Sequence, residues 1–158
     1  MTVISDIING QMPFTASNEG CRLEAYPDPV SGGAPITIGY GHTGHGIELG
    51  LVWTQEQADA QLMDDLQVAA DGLSSGAPWW SDLDAVRAGV LLDMAFNVGA
   101  PKFLTWHHTL GYAQGRQWEE CGVEIAGSQP WASQVGNRSV RNSNQMKTGV
   151  YQSEPANG

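Results

Sequence analysis

The longest regular pattern of apolar and polar residues in the sequence begins just after Thr54. Apolar residues recur there at spacings of three and four, at Ala58, Leu62, Leu66, Ala69 and Leu73. This spacing places them on one face of an α-helix. The preceding Thr54-Gln55-Glu56-Gln57 fits a capping box, in which the Thr54 and Gln57 side chains satisfy free N–H groups at the helix start. The pattern predicts a helix over residues 54–73, about 30 Å long.

A second helix is predicted over residues 84–96, where apolar residues occupy most of the circumference. A helix that is apolar all round is buried, so this one should form the centre of a helical lobe. Shorter helices are predicted after it, over residues 101–110, 117–126 and 137–147. The polar segment 152–158 is expected to form a flexible tail.

The N-terminal region predicts two short helices. Apolar residues recur at helical spacing at Val3, Ile4, Ile7 and Ile8. Pro13 suits the first turn of another helix, and Gly20 is placed to stop it.

Glycine and proline crowd residues 24–50, which contain seven glycines and three prolines. Between them, residues 36–40 have the character of a short β-strand, which indicates a small hairpin-rich sheet. The fold class is therefore α+β, with one domain over residues 1–158. A β-containing lobe at about 15–55 is joined by the 54–73 helix to a helical lobe made of residues 1–14 and 75–151. A cleft between such lobes is the usual place for a site.

Charge and composition exclude several classes of protein. The 158 residues include 17 Asp and Glu against 7 Lys and Arg, for a net charge of −10. This balance argues against a nucleic-acid partner, because a phosphate backbone requires a basic face. No apolar run approaches the ~18 residues of a membrane span, and residues 1–10 do not resemble a secretion signal. We expect a soluble, compact monomer without a membrane anchor.

The two cysteines, Cys21 and Cys121, lie far apart and have no CxxC spacing. They therefore indicate neither a zinc ribbon nor a thioredoxin-type site. We expect two reduced, partly buried thiols. A disulfide would require Cα atoms within about 7 Å, which the sequence leaves open.

Two carboxyl groups and a hydroxyl suggest chemistry near the glycine-rich region. Glu19 is expected at a helix C-terminus, where the macrodipole disfavours a negative charge, whereas Asp28 lies in a solvated turn between prolines. Two carboxyls with different protonation on opposite walls of a cleft are the requirement for glycosidic hydrolysis. Thr37 would project a hydroxyl from the predicted strand and could hold a water molecule there.

The residues around this pair form an extended motif. It consists of Glu19-Gly20-x-Arg22-x-x-x-Tyr26-x-Asp28, followed by Thr37-Ile38-Gly39-x-Gly41-His42. The motif resembles the signature of the phage-type (T-even phage-like) lysozymes, the muramidases of glycoside hydrolase family 24. Two later segments are also similar to this family: Ala95-Phe96-Asn97-Val98-Gly99, and Trp131-x-x-Gln134-x-x-Asn137-Arg138-x-x-Arg141 running on to Lys147-Thr148-Gly149.

This resemblance covers about residues 13–151 and implies a lysozyme-like fold. It also implies hydrolysis of the β-1,4 bond between N-acetylmuramic acid and N-acetylglucosamine in bacterial peptidoglycan, with inversion and without a cofactor. Glu19 matches the general acid, Asp28 the second carboxylate and Thr37 the residue that positions water. Arg138 matches an arginine that reaches across the cleft to Glu19.

Four supporting residues have more than one interpretation. Arg22 and Tyr26 are interpreted as scaffold for Glu19 rather than as sugar contacts. His42 is interpreted as a structural histidine bonded to Asp64 or Asp65. Asn97 resembles a cleft-facing amide. Two interpretations stay open for it: a hydrogen bond to an acetamido group of the substrate, or no contact with the substrate.

Other patterns favour packing over chemistry. His42, His45 and Glu48 have the spacing H-x-x-H-x-x-E, but the glycines among them break any helix that would align a zinc site. We therefore expect no metal. The tryptophans are expected in the core rather than on a sugar platform, and His107 and His108 on the surface of a helix. Residues 1–12, which precede the resemblance, either cap the helical lobe or form an extension.

Alternatives to an active endolysin stay open. They are a catalytically silent peptidoglycan-binding module, a lysozyme-like toxin domain, and a lytic transglycosylase that cleaves without water. Because no signal or anchor is recognised, we expect an endolysin to accumulate in the host cytoplasm and to reach the wall through a separate, holin-like membrane lesion. The acidic charge predicts weak steering toward an anionic wall and better activity at raised ionic strength.

Overall fold

The computed structural model describes residues 2–27 and 34–153. In chain order its elements are α1 (Ile4–Glu19), β1 (Arg22–Pro27), β2 (Ile36–Gly39), α2 (Gln55–Gly76), a 3₁₀ helix (Pro78–Asp82), α3 (Ala85–Val98), α4 (Ala100–Phe103), α5 (His107–Gln114), α6 (Trp118–Gly127), α7 (Trp131–Val135) and α8 (Asn137–Thr148). A small antiparallel sheet among helices confirms the α+β class. Across these described ranges, no helix combines the length and apolar character needed to cross a membrane.

The N-terminal region forms one helix, so the prediction of two short helices is wrong. Helix α1 continues through Pro13 and ends at Gly20, the expected stop, whose φ is +68°. Proline removes one helical hydrogen bond, but tertiary packing outweighs this loss. The buried face of α1 lies on both sides of Pro13 and consists of Ile7, Ile8, Gln11 and Thr15. Helix α1 packs against α3, and Ile7 and Ile8 are part of the main core.

The sheet pairs β1 with β2 in an antiparallel register. Arg22 lies opposite Gly39, and Tyr26 lies opposite Thr37, with an irregularity between the two pairs. The segment after β2 returns to β1, because the Trp53 N–H donates to the Leu23 carbonyl at 2.8 Å. This bond holds the first strand of the hairpin against the residues that precede α2. The expected strand at residues 36–40 is observed as β2.

Helix α2 begins with the capping box that the sequence predicts. The Thr54 hydroxyl accepts from the Gln57 N–H, and the Gln57 side chain accepts from the Thr54 N–H. The helix ends at Gly76 rather than near residue 73. Its buried face contains all five residues of the apolar stripe, namely Ala58, Leu62, Leu66, Ala69 and Leu73.

Helix α3 is the buried centre of the larger lobe, as the sequence predicts. Asp84 caps its first turn by accepting from the Arg87 N–H at 3.1 Å, and every residue from 88 to 95 is buried. One of these buried residues, Asp93, is charged.

The C-terminal part of the chain differs from prediction in two places. Residues 101–110 do not form one helix, because α4 ends at Phe103 and α5 begins at His107. The short helix α7 was not expected. Helices α6 and α8 follow the predicted ranges closely and pack on each other. Of the tryptophans, Trp80 and Trp131 are buried in the core as expected, whereas Trp79, Trp106 and Trp118 are partly buried and pack against it. Residues 154–158 of the expected flexible tail lie outside the described residues.

Candidate active site

Glu19 is the last residue of α1, and the chain turns sharply at Gly20. Its side chain is only 18% exposed. The second carboxyl oxygen, Oε2, faces Gly41 in the loop after β2. The helix end and the glycine loop therefore hold this carboxyl group from two sides.

Arg138 connects Glu19 to the core of the larger lobe. From the second residue of α8 it donates through Nη1 to Oε1 of Glu19 at 2.5 Å. The other edge of the guanidinium donates to the Asp93 carboxylate, from Nε at 2.9 Å and from Nη2 at 2.8 Å. The contact to Glu19 that the family resemblance implies is thus present, and Asp93 is an additional partner.

The charges of this cluster act on each other strongly. Burial alone raises the pKa of Asp93, but the Arg138 charge and hydrogen bonds from Arg138, Asn142 and Thr15 hold it below its ordinary value. For Arg138 burial lowers the pKa, and the charges and hydrogen bonds of Asp93 and Glu19 raise it above its ordinary value. Arg138 and Asp93 are consequently a fully ionised buried pair at neutral pH.

A cavity of about 600 Å³ opens beside Glu19. Its wall comes from the loop after β2, from α2 and from the C-terminal end of α3. The lining includes Glu19, His42, Asp65, Phe96 and Asn97. This volume is within the range of small-molecule sites, and it lies between the small sheet and the helical lobe as expected of the cleft.

His42 lines this cavity and is bonded to helix α2. Its Nδ1 lies 2.8 Å from Oδ2 of Asp65, one of the two carboxylates expected as its partner. Gln61 donates to the other oxygen of Asp65 at 2.9 Å. The pair ties the glycine-rich loop to α2, which agrees with a structural interpretation of His42.

Thr37, Tyr26 and Arg22 lie together on the sheet. Thr37 is directly opposite Tyr26 in the register, is only 6% exposed, and donates to the Pro35 carbonyl at 3.2 Å. The Arg22 guanidinium lies over the Tyr26 ring, 4.1 Å from its centroid, a cation–π arrangement. Asp28, the predicted second carboxylate, lies outside the described residues.

Asn97 stands at the border between two cavities. Its Oδ1 accepts from the Trp131 indole N–H at 2.7 Å, which fixes the orientation of the amide. The same two residues line a second cavity of about 650 Å³ beside the first. Asn97 is an exposed residue.

Metal-site and disulfide geometry are not found in residues 2–27 and 34–153. Within those ranges, no three His, Cys, Asp or Glu side chains stand close enough together to hold a metal ion. Both cysteines are free, with Cys21 exposed and Cys121 buried. His107 and His108 are exposed on α5, as expected.

Sequence reasoning missed the place of Asp93 in this cluster. The available signal is the presence of a lone carboxylate in the apolar run of α3, because a fully buried charge in a protein is almost always paired. Its partners lie 45 or more residues away along the chain, in α1 and α8, so the sequence does not indicate which residues pair with it.

The fold and the cluster define a two-lobed α+β protein with a partly buried glutamate beside a cleft. The sequence profile of the phage lysozyme family matches residues 16–145. The chain belongs to the phage lysozyme family, and its fold is lysozyme-like. This confirms the resemblance inferred from the motifs.

Individual relatives agree with this assignment. The chain is 39% identical to an endolysin of Lactococcus phage c2 over 85 residues. This alignment covers 51% of this chain and 34% of that protein. It is 26% identical over 158 residues to the probable T4-type lysozyme 1 of Dictyostelium discoideum, covering 84% of this chain and 91% of that protein. A SAR-endolysin of bacteriophage PS119 is 34% identical over 88 residues, 55% of this chain and 49% of that protein. The chain spans about a third of the length of the Lactococcus phage endolysins that it matches.

Proposed function

We propose that this protein is a lysozyme of the endolysin type. It would hydrolyse the β-1,4 bond between N-acetylmuramic acid and N-acetylglucosamine in peptidoglycan. The observation that carries the proposal is the Glu19 carboxyl group, which lines the 600 Å³ cavity and is held by Arg138 in a member of the phage lysozyme family.

Glu19 is proposed as the general acid. Arg138 occupies Oε1, so Oε2 is the oxygen that would carry the proton and deliver it to the glycosidic oxygen. As that oxygen departs with the proton, its bond to the anomeric carbon breaks. The position of Glu19 supports this role, because its side chain is largely buried and lines the cavity in which a saccharide would bind.

Asp28 and Thr37 are proposed to serve the attacking water. In the inverting scheme, water forms its bond to the anomeric carbon on the opposite face of the sugar, and its proton passes to the Asp28 carboxylate. Carboxyl groups that act in this way stand about 6.5–9.5 Å apart. The Thr37 hydroxyl already donates to the Pro35 carbonyl, so its oxygen remains available to accept a hydrogen bond from that water.

Asn97, His42, Tyr26 and Arg22 are proposed as supporting residues. Trp131 occupies Oδ1 of Asn97, so the amide would offer its N–H group to a carbonyl oxygen of the substrate, such as that of an acetamido group. His42 would hold the loop that carries Gly41 in place beside Glu19. Arg22 and Tyr26 would be scaffold for Glu19 on the strand that follows it, and Tyr26 would also flank Thr37 in the sheet.

Peptidoglycan is the proposed partner. The enzyme is proposed to accumulate inside the host cell before it reaches the wall. The family and the endolysin relatives support this scheme, in which a separate membrane lesion gives the enzyme access to the wall. It predicts that protein produced inside bacteria damages the wall only when a membrane lesion is supplied as well. Wall damage by the protein produced without any such lesion would contradict the need for one.

The decisive experiment measures reducing ends released from purified peptidoglycan. Wild type should release them, and Glu19→Gln and Asp28→Asn should lose most of the release. Glu24→Gln is the matched control, because Glu24 is an exposed carboxylate on β1 and should be dispensable. Assays at two salt concentrations test the acidic surface, and we expect higher activity at the higher salt concentration.

Three outcomes would replace the proposal. Binding to the wall without cleavage would indicate a silent binding module. Anhydromuropeptide products without reducing ends would indicate a transglycosylase. Full activity in Glu19→Gln would remove Glu19 from the mechanism.

A further inference from the structure

Asp93 is a buried carboxylate with four hydrogen bonds. It is 0% exposed and receives Arg138 through two nitrogens, the Thr15 hydroxyl at 2.7 Å and the Asn142 amide at 3.0 Å. The donors come from α1 and α8, the two helices that also carry Glu19 and Arg138. Its position is therefore fixed from both sides of the active-site cluster.

The guanidinium of Arg138 is shared between Asp93 and Glu19. Nε and Nη2 face Asp93 as a bidentate pair, and Nη1 is left to face Glu19. A planar guanidinium held along one edge has no freedom to rotate, so Asp93 dictates where the third nitrogen points.

A buried ion pair calls for an explanation beyond stability. Replacing such a pair by apolar residues is often neutral or stabilising, because desolvation of both charges offsets their attraction. The effect of the Asp93–Arg138 pair is therefore to be sought at the Glu19 carboxyl, which Arg138 contacts.

We infer that Asp93 is a positioning residue that orients Arg138 and neutralises its charge, so that Glu19 can hold the proton that catalysis requires. This inference rests on the proposed function. With Glu19 protonated, the three groups sum to zero charge; with Glu19 ionised, they sum to −1. Without the Asp93 charge, Arg138 would be unopposed and would stabilise ionised Glu19, which cannot donate a proton.

Other titratable groups face the cluster from the elements around it. Across the cavity, His42 and Asp65 are paired with each other. Arg141, on α8, donates to Asn18 beside Glu19. From α2, which packs on α3, the buried side chains are alanines and leucines. Among residues 2–27 and 34–153, Asp93 and Glu19 are the carboxylates that form ion pairs with Arg138.

The test is the pH dependence of peptidoglycan cleavage by Asp93→Asn. The alkaline limb of the activity profile should move to lower pH by about one unit, while activity at acidic pH is largely retained. Asp93→Glu keeps the charge but displaces the guanidinium, so it should lower the maximal rate and leave the limb near that of wild type. Ser139→Ala, which removes a buried hydroxyl next to Arg138, should lower the melting temperature without moving the limb.

A second pair of variants separates charge from folding. Asp93→Asn should have no effect on the limb when Arg138→Gln is already present, because a fully buried Asp93 without its cation takes up a proton and has no charge left to remove. This comparison also serves should Asp93→Asn alone not fold, since the double variant removes both buried charges. Melting temperatures at each assay pH identify the folded range.

The outcomes distinguish this inference from the proposed function. If wild type releases no reducing ends, the proposed function is wrong. If wild type is active and folded Asp93→Asn keeps the wild-type limb, Asp93 does not govern the protonation of Glu19. An equal shift with and without Arg138 would also overturn the inference.

Discussion

The carboxyl group of Glu19 lies against the backbone of Gly41. A Cβ atom at position 41 would stand 3.1 Å from Oε2 of Glu19, closer than side-chain atoms ordinarily approach. Gly41 also has φ at +79°, a conformation that L-residues rarely adopt. The loop thus requires glycine for two separate reasons, and one of them concerns the proposed catalytic acid directly.

Gly41→Ala should therefore lower the rate of peptidoglycan cleavage strongly, while it lowers the free energy of unfolding only moderately. The added methyl group would push Oε2 of Glu19 from its place, and a small displacement of a reacting group lowers rates by about tenfold or more. The strained backbone alone costs about 1–2 kcal/mol. Initial rates on peptidoglycan and urea unfolding measure the two effects separately.

Gly46→Ala is the matched control for this change. Gly46 has a similar φ of +83°, but a Cβ atom there would meet nothing within 4 Å. It should lose similar stability and keep its activity. Equal losses of activity in both variants would show that loop strain, and not the contact with Glu19, is responsible.

Stability at alkaline pH should depend on the buried thiol of Cys121. Burial, with a smaller contribution from the Glu124 charge, raises the pKa of Cys121 from 9.0 to about 12. Burial and Asp59 likewise raise the pKa of Tyr40 from 10.0 to about 12. Between pH 9 and 12 the unfolded chain releases these protons and the folded chain keeps them. The free energy of unfolding therefore falls as the pH rises through this window.

Cys121→Ala should flatten this fall, because one of the linked protons is removed. A single proton contributes a slope of at most about 1.4 kcal/mol per pH unit. Urea unfolding at a series of pH values from 8 to 11 measures the slope. Cys21→Ala, which removes an exposed thiol, should keep the wild-type slope, and identical slopes for all three proteins would contradict the prediction.

Periodic patterns in the sequence predict the large helices well. The capping box at Thr54 and the stripe of leucines and alanines depend on neighbours in the chain, and α2 follows them. The all-apolar character of residues 84–96 likewise predicts burial of α3. These features are local, so a single sequence contains the information that determines them.

Two failures come from contacts between residues that are distant in the sequence. Pro13 signals a helix start by local rules, but packing of α1 on α3 carries the helix through it. For the same reason the sequence identifies Glu19 and Arg138 through a motif but not Asp93, whose role depends on Thr15 and Arg138 meeting it in the core. Helix propensity depends on neighbouring residues in the chain. The burial of a charged residue such as Asp93 depends on partners that are distant in the sequence.

Arg87 should be the main polar link between the first turn of α3 and the end of α8. Its Nε donates to the Met146 carbonyl at 2.7 Å and its Nη2 to the Lys147 carbonyl at 3.1 Å, while the guanidinium lies 4.5 Å from the centroid of the Trp118 ring. Carbonyls at a helix C-terminus lack partners within the helix, and a cation there also interacts favourably with the helix dipole.

Arg87→Lys should lower the free energy of unfolding by about 1–3 kcal/mol, since an ammonium cannot satisfy both carbonyls and stack on Trp118 together. The rate constant for cleavage should stay at the wild-type value, because the link lies away from the Glu19 cavity. Urea unfolding and peptidoglycan assays measure both. Arg116→Lys, at an exposed arginine, should change stability by less than about 0.5 kcal/mol. A comparable loss in both variants would mean that arginine content, rather than this link between α3, α6 and α8, determines the stability.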